Sequence, residues 1–149
     1  MKKIFVVCIA LFVFSNIFSQ TKDPVKWAAI YKSISATEGE IIITASIDKN
    51  WHTYSQKPTT DGPVPTSFNF TASKQYQLVG KVEESAAHEE FDPAFGAKTS
   101  VFTDKAEFKQ KIKLLGKTPA TIPFKVEFMC CDDKMCLPPK TVDLSVKTQ

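Results

Sequence analysis

The sequence contains no arginine, only 5 glycines and only 2 histidines. Its 19 basic residues are therefore all lysines, set against 16 acidic residues. A chain without a concentrated basic charge lacks the electrostatic surface that nucleic-acid binding needs, and without Arg it lacks the planar group that grips phosphates and carboxylates bidentately. GxGxxG, P-loop, GxSxG and HExxH motifs are also absent. These absences argue against nucleic-acid, nucleotide and hydrolase functions, and we expect no cofactor.

Long apolar runs are scarce as well, and the one that exists opens the chain. Lys2 and Lys3 precede an apolar stretch over residues 4–14, and Ser19 provides a small residue before a cleavage point. This pattern predicts a secretory signal peptide over residues 1–19, cleaved from a single domain over residues 20–149. A retained anchor is the alternative, but the stretch is shorter than the roughly 20 residues that a membrane span needs.

Export has three consequences for the mature chain. Cys8 and the two leading lysines leave with the signal, so the domain is nearly neutral and keeps three cysteines. A periplasmic or otherwise extracytoplasmic location allows disulfides to persist. No second run of spanning length exists, so we expect a protein without a membrane span after cleavage, and we expect it to be a monomer.

The remaining sequence alternates apolar and polar residues over short segments, as half-buried β-strands do. Turn residues separate these segments about every ten positions, and no alternating strand–helix pattern occurs. The segment over 86–102, which contains Pro93 and Gly96, is expected to be irregular. The sequence therefore predicts an all-β antiparallel sandwich, with strands over residues 25–34, 40–48, 51–55, 66–72, 76–84, 106–115, 120–130 and 140–147.

The three remaining cysteines lie in one stretch, "FMCCDDKMCLPPK", over residues 128–140. Apolar residues occupy the even positions of the preceding strand, so Cys130 should face the core and Cys131 the outer side. Cys136 follows after a four-residue loop, and opposed residues of a hairpin lie within bridging distance. Both Cys131–Cys136 and Cys130–Cys136 are feasible. The outward direction of its side chain favours Cys131 as the partner of Cys136, since we expect Cys131 nearer the surface. Cys130 remains the alternative partner.

The cysteines could form a structural disulfide (a brace), a redox-active disulfide or part of a metal site. A disulfide across so small a loop removes little chain entropy, worth about 2 kcal/mol or less, and bridges that close tight loops are readily attacked. A metal site would use the cysteines with Asp132, His52 or His88, but no fourth ligand is fixed by the pattern, so we predict none. His52 itself is expected to be a surface strand residue. Residue patterns alone do not decide between a structural and a redox-active disulfide.

The stretch "CDDKMCLPP" resembles the active-site hairpin of the N-terminal periplasmic domain of DsbD, the thiol:disulfide interchange protein. That family carries two cysteines four or five residues apart, then an aromatic residue or Leu, and then Pro-Pro. The matching positions here are Cys131, Cys136, Leu137, Pro138 and Pro139.

Two further segments are similar to the same family. "DKNWHTYS" is similar to a turn and strand that ends in a tyrosine near the redox pair, which falls on Tyr54. "EEFDPAFGAKTSVF" is similar to the cap loop, whose aromatic residue shields the cysteines until a partner docks. Phe95 fits that aromatic role best, and Phe91 is the alternative.

The resemblance implies an immunoglobulin-like sandwich with the redox cysteines on a terminal hairpin. It also implies a dithiol carrier that passes electrons to thioredoxin-like partners and is recharged by a membrane electron transporter. In this family the second cysteine forms the mixed disulfide, a role that falls on Cys136, with Cys131 resolving it. This sequence carries neither a membrane domain nor a thioredoxin-like domain, so other chains would supply both. A non-catalytic immunoglobulin-like binding or assembly module with a structural disulfide is the competing hypothesis.

Overall fold

The computed structural model describes residues 23–116 and 119–148, and the predicted signal peptide lies outside them. Among these residues no helix is long and apolar enough to cross a membrane. The described chain forms ten strands, which are β1 (Val25–Ser33), β2 (Glu38–Ile47), β3 (His52–Tyr54), β4 (Ser67–Phe70), β5 (Tyr76–Glu84), β6 (His88–Asp92), β7 (Ala97–Thr103), β8 (Lys105–Leu114), β9 (Thr121–Cys131) and β10 (Cys136–Lys147).

The strands form two sheets, and every pairing is antiparallel. One sheet has the order β1-β2-β8-β5 and the other β10-β9-β3-β7-β6, with β4 also pairing β9. One edge of β9 serves two partners, because β3 pairs with its last residues, Cys130 and Cys131, and β4 pairs with an earlier part. This arrangement confirms the all-β antiparallel sandwich, with the cysteine hairpin at the C-terminal end.

Alternation along β2, β8 and β9 builds the core between the sheets. Ile43 of β2 lies opposite Phe108 of β8, and both side chains are fully buried. Phe124 and Phe128 on the even face of β9 close the core from the other sheet. The strand predicted over residues 106–115, whose propensity also suits a helix, is confirmed as β8, which ends at Leu114. Its period of two places Ala106, Phe108, Ile112 and Leu114 on the buried side, while Leu115 beyond its end is exposed.

The sequence predicted an irregular segment over 86–102, and this prediction is wrong. The segment forms the hairpin β6–β7. Asp92 pairs with Ala97 across a tight turn over residues 93–96, in which Gly96 has a φ of 63°. A left-handed φ is adopted readily by glycine and rarely by other residues. The strand pattern was hard to detect because β6 is an edge strand that begins with the charged or polar run His88–Glu90, so its exposure hides the alternation. The turn places residue 95 above β3.

Candidate active site

The β9–β10 hairpin holds Cys131 and Cys136 directly opposite each other and joins them in a disulfide, with Cα atoms 4.0 Å apart. Asp132 shapes the connecting loop. Its backbone N–H donates to the carbonyl oxygen of Met135 at 2.9 Å, and its Oδ1 accepts from the backbone N–H groups of Lys134 and Met135, both at 2.9 Å. This use of an Asp side chain to cap its own turn is a common loop device. The loop therefore fixes the register that opposes the two sulfurs.

Cys130 lies on the opposite face of β9 from Cys131, and it is free. It packs in the main core, where burial first and the charge of Asp23 second raise the pKa of its thiol to about 11. A thiol held protonated in this way is a poor nucleophile. The alternation along β9 thus placed Cys130 correctly, and the pair in the structure is Cys131–Cys136.

The expectation that Cys131 lies near the surface is wrong. Its side chain is on the outer face of its sheet, yet only 1% of it is exposed, against 3% for Cys130. On that face Cys131 clusters with Tyr54 of β3 and Val101 of β7, and Phe95 of the turn after β6 packs against them, so facing away from the core does not bring contact with solvent here. Cys136 is partly exposed. Of the two bonded cysteines, Cys136 is therefore the more exposed.

A small second cluster covers the buried end of the disulfide. Tyr54 and Val101 cluster with Cys131, and Phe95 packs against this cluster. The Phe95 ring meets the Tyr54 ring edge-on, with centroids 6.2 Å apart. Phe91 is 64% exposed. Phe95, and not the exposed Phe91, therefore packs on the cluster that contains Cys131.

Pro138 and Pro139 lie on the other side of the hairpin. Both are exposed, and the register of β9 and β10 shifts between Leu137 and Lys140, which bracket them. They line a pocket of about 420 Å³ that also reaches Cys130. The two prolines therefore flank the cysteine hairpin from the face opposite Tyr54, at the register shift that follows Cys136.

Tyr54 contacts the buried sulfur through its hydroxyl. The hydroxyl oxygen lies 2.9 Å from Cys131 Sγ and 2.6 Å from Asp92 Oδ2. A phenol has one proton to donate, and the shorter contact to a carboxylate makes Asp92 its acceptor while the disulfide is closed. Burial first, and the hydrogen bond to Asp92 second, raise the pKa of Tyr54 far above its ordinary value. The hydroxyl therefore stays protonated beside the sulfur.

Asp92 is the site residue that the sequence analysis missed. Only 3% of it is exposed, and its two oxygens join two parts of the site. Oδ2 accepts from Tyr54, and Oδ1 accepts from the backbone N–H of Ala94 at 2.9 Å. The carboxylate thereby ties the cap turn, which carries Phe95, to the tyrosine beside the disulfide. The Asp-Pro dipeptide at 92–93 is the signal that could have pointed to it, since Asp often caps a turn two residues on.

His52 also belongs to the site, and it is not a surface residue. Its side chain is only 15% exposed, and Nε2 lies 3.1 Å from the Tyr54 hydroxyl. Beside it opens a pocket of about 380 Å³, lined on the hairpin side by Asp132, Asp133 and Lys134. Within residues 23–116 and 119–148, no cluster of His, Cys, Asp and Glu is arranged to hold a metal ion.

Comparison with known proteins adds to this geometry. The family model of the thiol:disulfide interchange protein DsbD, N-terminal, matches residues 22–148. The comparison with curated protein sequences finds no match.

Solved structures show the same fold at low sequence identity. The reduced DsbD N-terminal domain of Neisseria meningitidis has a TM-score of 0.55 and 14% identity, over 83% of this chain and 84% of that one. The N-terminal periplasmic domain of ScsB from Proteus mirabilis has a TM-score of 0.54 and 18% identity, over 83% of this chain but only 44% of its own. The Neisseria meningitidis complex of the DsbD and PilB N-terminal domains gives a TM-score of 0.50 and 12% identity, covering 80% of each chain. By the family match over nearly the whole described chain, this protein belongs to the DsbD N-terminal domain family.

Proposed function

We propose that this protein is an extracytoplasmic dithiol/disulfide carrier that passes reducing equivalents to thioredoxin-like proteins. The observation that carries the proposal is the asymmetry of the Cys131–Cys136 disulfide. Cys136 is a partly exposed residue at a hairpin end, and Cys131 is buried with its sulfur against the Tyr54 hydroxyl. A brace needs no such difference between its two ends. An exchange site needs one sulfur to meet the partner and one to resolve the mixed disulfide.

The exchange follows from these positions. In the reduced protein the Cys136 thiolate attacks a sulfur of the partner disulfide, a bond forms between Cys136 and the partner, and the partner's other sulfur leaves as a thiolate. Cys131 then attacks Cys136 Sγ, which breaks the mixed disulfide and releases the second partner thiolate. Two electrons pass to the partner, and the Cys131–Cys136 disulfide forms. Cys136 is assigned the partner attack because it is the more exposed of the two cysteines.

In this proposal the turn over residues 93–96, which carries Phe95, acts as a cap that favours protein partners over small reagents. Phe95 and Tyr54 cover Cys131, while the exposed Phe91 and Met135 stand at the edges of the adjoining pocket. A small oxidant or thiol meets a shielded bond, whereas a docking protein can displace the turn over residues 93–96. Pro138 and Pro139 support the opposite side of the hairpin during that displacement.

Location and partners are part of the same proposal. A signal peptide over residues 1–19 would export the domain over residues 20–149, in keeping with the periplasmic ScsB domain that shares the fold. The solved DsbD–PilB complex supports protein partners for a domain of this fold. A membrane electron transporter in another chain would recharge the carrier, which we expect to act as a monomer.

A redox titration tests the function. The protein is equilibrated in thiol/disulfide buffers, quenched by alkylation and analysed by mass spectrometry, and its reduced form is mixed with an oxidised thioredoxin. We expect a Cys131–Cys136 potential within the range of exchange proteins, about −120 to −270 mV, and rapid transfer. A potential below about −300 mV, together with no transfer to any thioredoxin-like protein, would leave the structural-brace hypothesis in its place.

A further inference from the structure

His52 connects the buried end of the disulfide to solvent through one intervening group. Its Nε2 lies 3.1 Å from the Tyr54 hydroxyl oxygen, which in turn lies 2.9 Å from Cys131 Sγ. The imidazole borders the pocket of about 380 Å³ beside the hairpin loop. A continuous path of hydrogen-bond distances therefore runs from the pocket to a sulfur that is 1% exposed.

The direction of each hydrogen bond follows from the number of available protons. Tyr54 donates its single proton to Asp92 Oδ2 at 2.6 Å, so its oxygen accepts from His52 Nε2–H. The other ring nitrogen, Nδ1, faces Glu90 Oε1 at 3.8 Å, and Nε2 also lies 3.8 Å from Asp92 Oδ2. Each of the two nitrogens of the His52 ring therefore faces a carboxylate.

The other charged groups near His52 come from the hairpin loop. Asp132, Asp133 and Lys134 line the same pocket and contribute two carboxylates and one ammonium group. Together with Glu90 and Asp92 of β6 they surround the ring with mostly negative charge.

Opening the disulfide places a negative charge on Cys131 Sγ, close to the Asp92 carboxylate. When a thiolate attacks Cys136, the electron pair of the broken S–S bond goes to Cys131 Sγ. That sulfur is buried and shares the Tyr54 hydroxyl with the Asp92 carboxylate. Two anions that share one hydrogen-bond donor in a buried site are costly, and the raised pKa of Tyr54 prevents the phenol from giving up its proton without replacement.

We propose that His52 supplies the proton that Cys131 takes up when the disulfide opens, with Tyr54 as the relay. Protonated His52 gives its Nε2 proton to the Tyr54 oxygen, and the Tyr54 hydroxyl proton passes to Cys131 Sγ. The products are neutral His52, neutral Tyr54 and the Cys131 thiol, and His52 then takes up a proton from the pocket. This inference deepens the proposed function and rests on it for its biological meaning.

The reverse reaction uses the same path. When Cys131 must attack the mixed disulfide, its thiol proton passes to Tyr54, and the Tyr54 proton passes to neutral His52. His52 does not touch a sulfur, so it is a positioning residue that acts through Tyr54. Its assignment predicts a pH dependence that a purely structural histidine would not produce.

The test measures reduction of the Cys131–Cys136 bond by dithiothreitol in wild type, His52→Gln and His88→Gln. The rate constant is divided by the fraction of dithiothreitol present as thiolate, so that only the protein's own pH dependence remains. Gln at position 52 can still donate a hydrogen bond but cannot carry a proton. His88 is the matched control, since it sits on β6 and its Nε2 lies 3.4 Å from Glu90.

In wild type and His88→Gln the corrected rate should rise about tenfold or more as pH falls from about 8 to about 5, the range in which histidine ordinarily becomes protonated. In His52→Gln it should stay flat. The same rise in His52→Gln, its absence from wild type, or its equal loss in His88→Gln would overturn the inference. If His52→Gln fails to fold, Tyr54→Phe decides, because it keeps His52 and cuts the relay, and a persisting rise there would also overturn it.

The proposed function and this inference fail in different ways. Dithiothreitol reduces the bond whether or not a thioredoxin-like protein is the natural partner. A protein that never exchanges with thioredoxin-like proteins but shows the His52-dependent rise would lose the function and keep the relay.

Discussion

Phe95 offers a quantitative test of the cap. Its ring packs on the cluster of Tyr54, Val101 and Cys131, and it meets the Tyr54 ring edge-on with centroids 6.2 Å apart. Such an aromatic pair contributes about 0.5 to 1.5 kcal/mol beyond its burial. If that energy holds the cap closed, Phe95→Ala should increase the open population, and with it the rate of reduction by dithiothreitol, about two- to tenfold.

The matched control is Phe91→Ala on the same hairpin. Phe91 is 64% exposed, so its removal should change neither the reduction rate nor the free energy of unfolding appreciably. Both rates are measured by quenching with an alkylating reagent and mass spectrometry. An unchanged rate in Phe95→Ala, or an equal acceleration in Phe91→Ala, would show that Phe95 does not shield the bond.

Three further predictions concern neighbouring groups. Cys130→Ala should leave exchange intact. Because the folded-state pKa of this thiol is raised to about 11, wild type should lose stability as pH rises from about 9 to 11, and urea midpoints should show a smaller loss in the variant. Asp92→Asn removes the second cause of the raised Tyr54 pKa, so an ultraviolet titration should find that tyrosine ionising at lower pH. Phe108→Ala, at 0% exposure in the core, should lower the free energy of unfolding by about 3 to 5 kcal/mol in urea titrations.

The faces of the long strands could be predicted from the sequence because their period of two is unbroken. Phe124, Val126 and Phe128 alternate with charged residues, and continuing that pattern put Cys130 in the core. The same alternation separated Cys131 from Cys130. These are local properties of a strand that is buried on one side, and they need no knowledge of what lies beyond the sheet.

The environment of Cys131 could not be predicted in this way. Its burial depends on side chains from distant parts of the chain, namely Tyr54 of β3, Val101 of β7 and Phe95 of the turn after β6, which pack with it on the outer face of the sheet. Asp92 contacts Tyr54 across a sequence separation of 38 residues, and nothing in the local pattern marks a carboxylate for burial. His52 was expected at the surface because strand alternation does not show which distant residues, here Glu90 and Asp92, pack beside an outward-facing side chain.

Trapping the mixed disulfide tests the central claim most directly. Cys131→Ser is incubated with an oxidised thioredoxin, or with the oxidised PilB N-terminal domain of Neisseria meningitidis, then quenched with acid and analysed by non-reducing gel and peptide mass spectrometry. We predict that a mixed disulfide accumulates through Cys136 and is absent from Cys136→Ser. No mixed disulfide with either protein, or one formed through Cys130, would contradict the assignment of Cys136 as the group that attacks the partner.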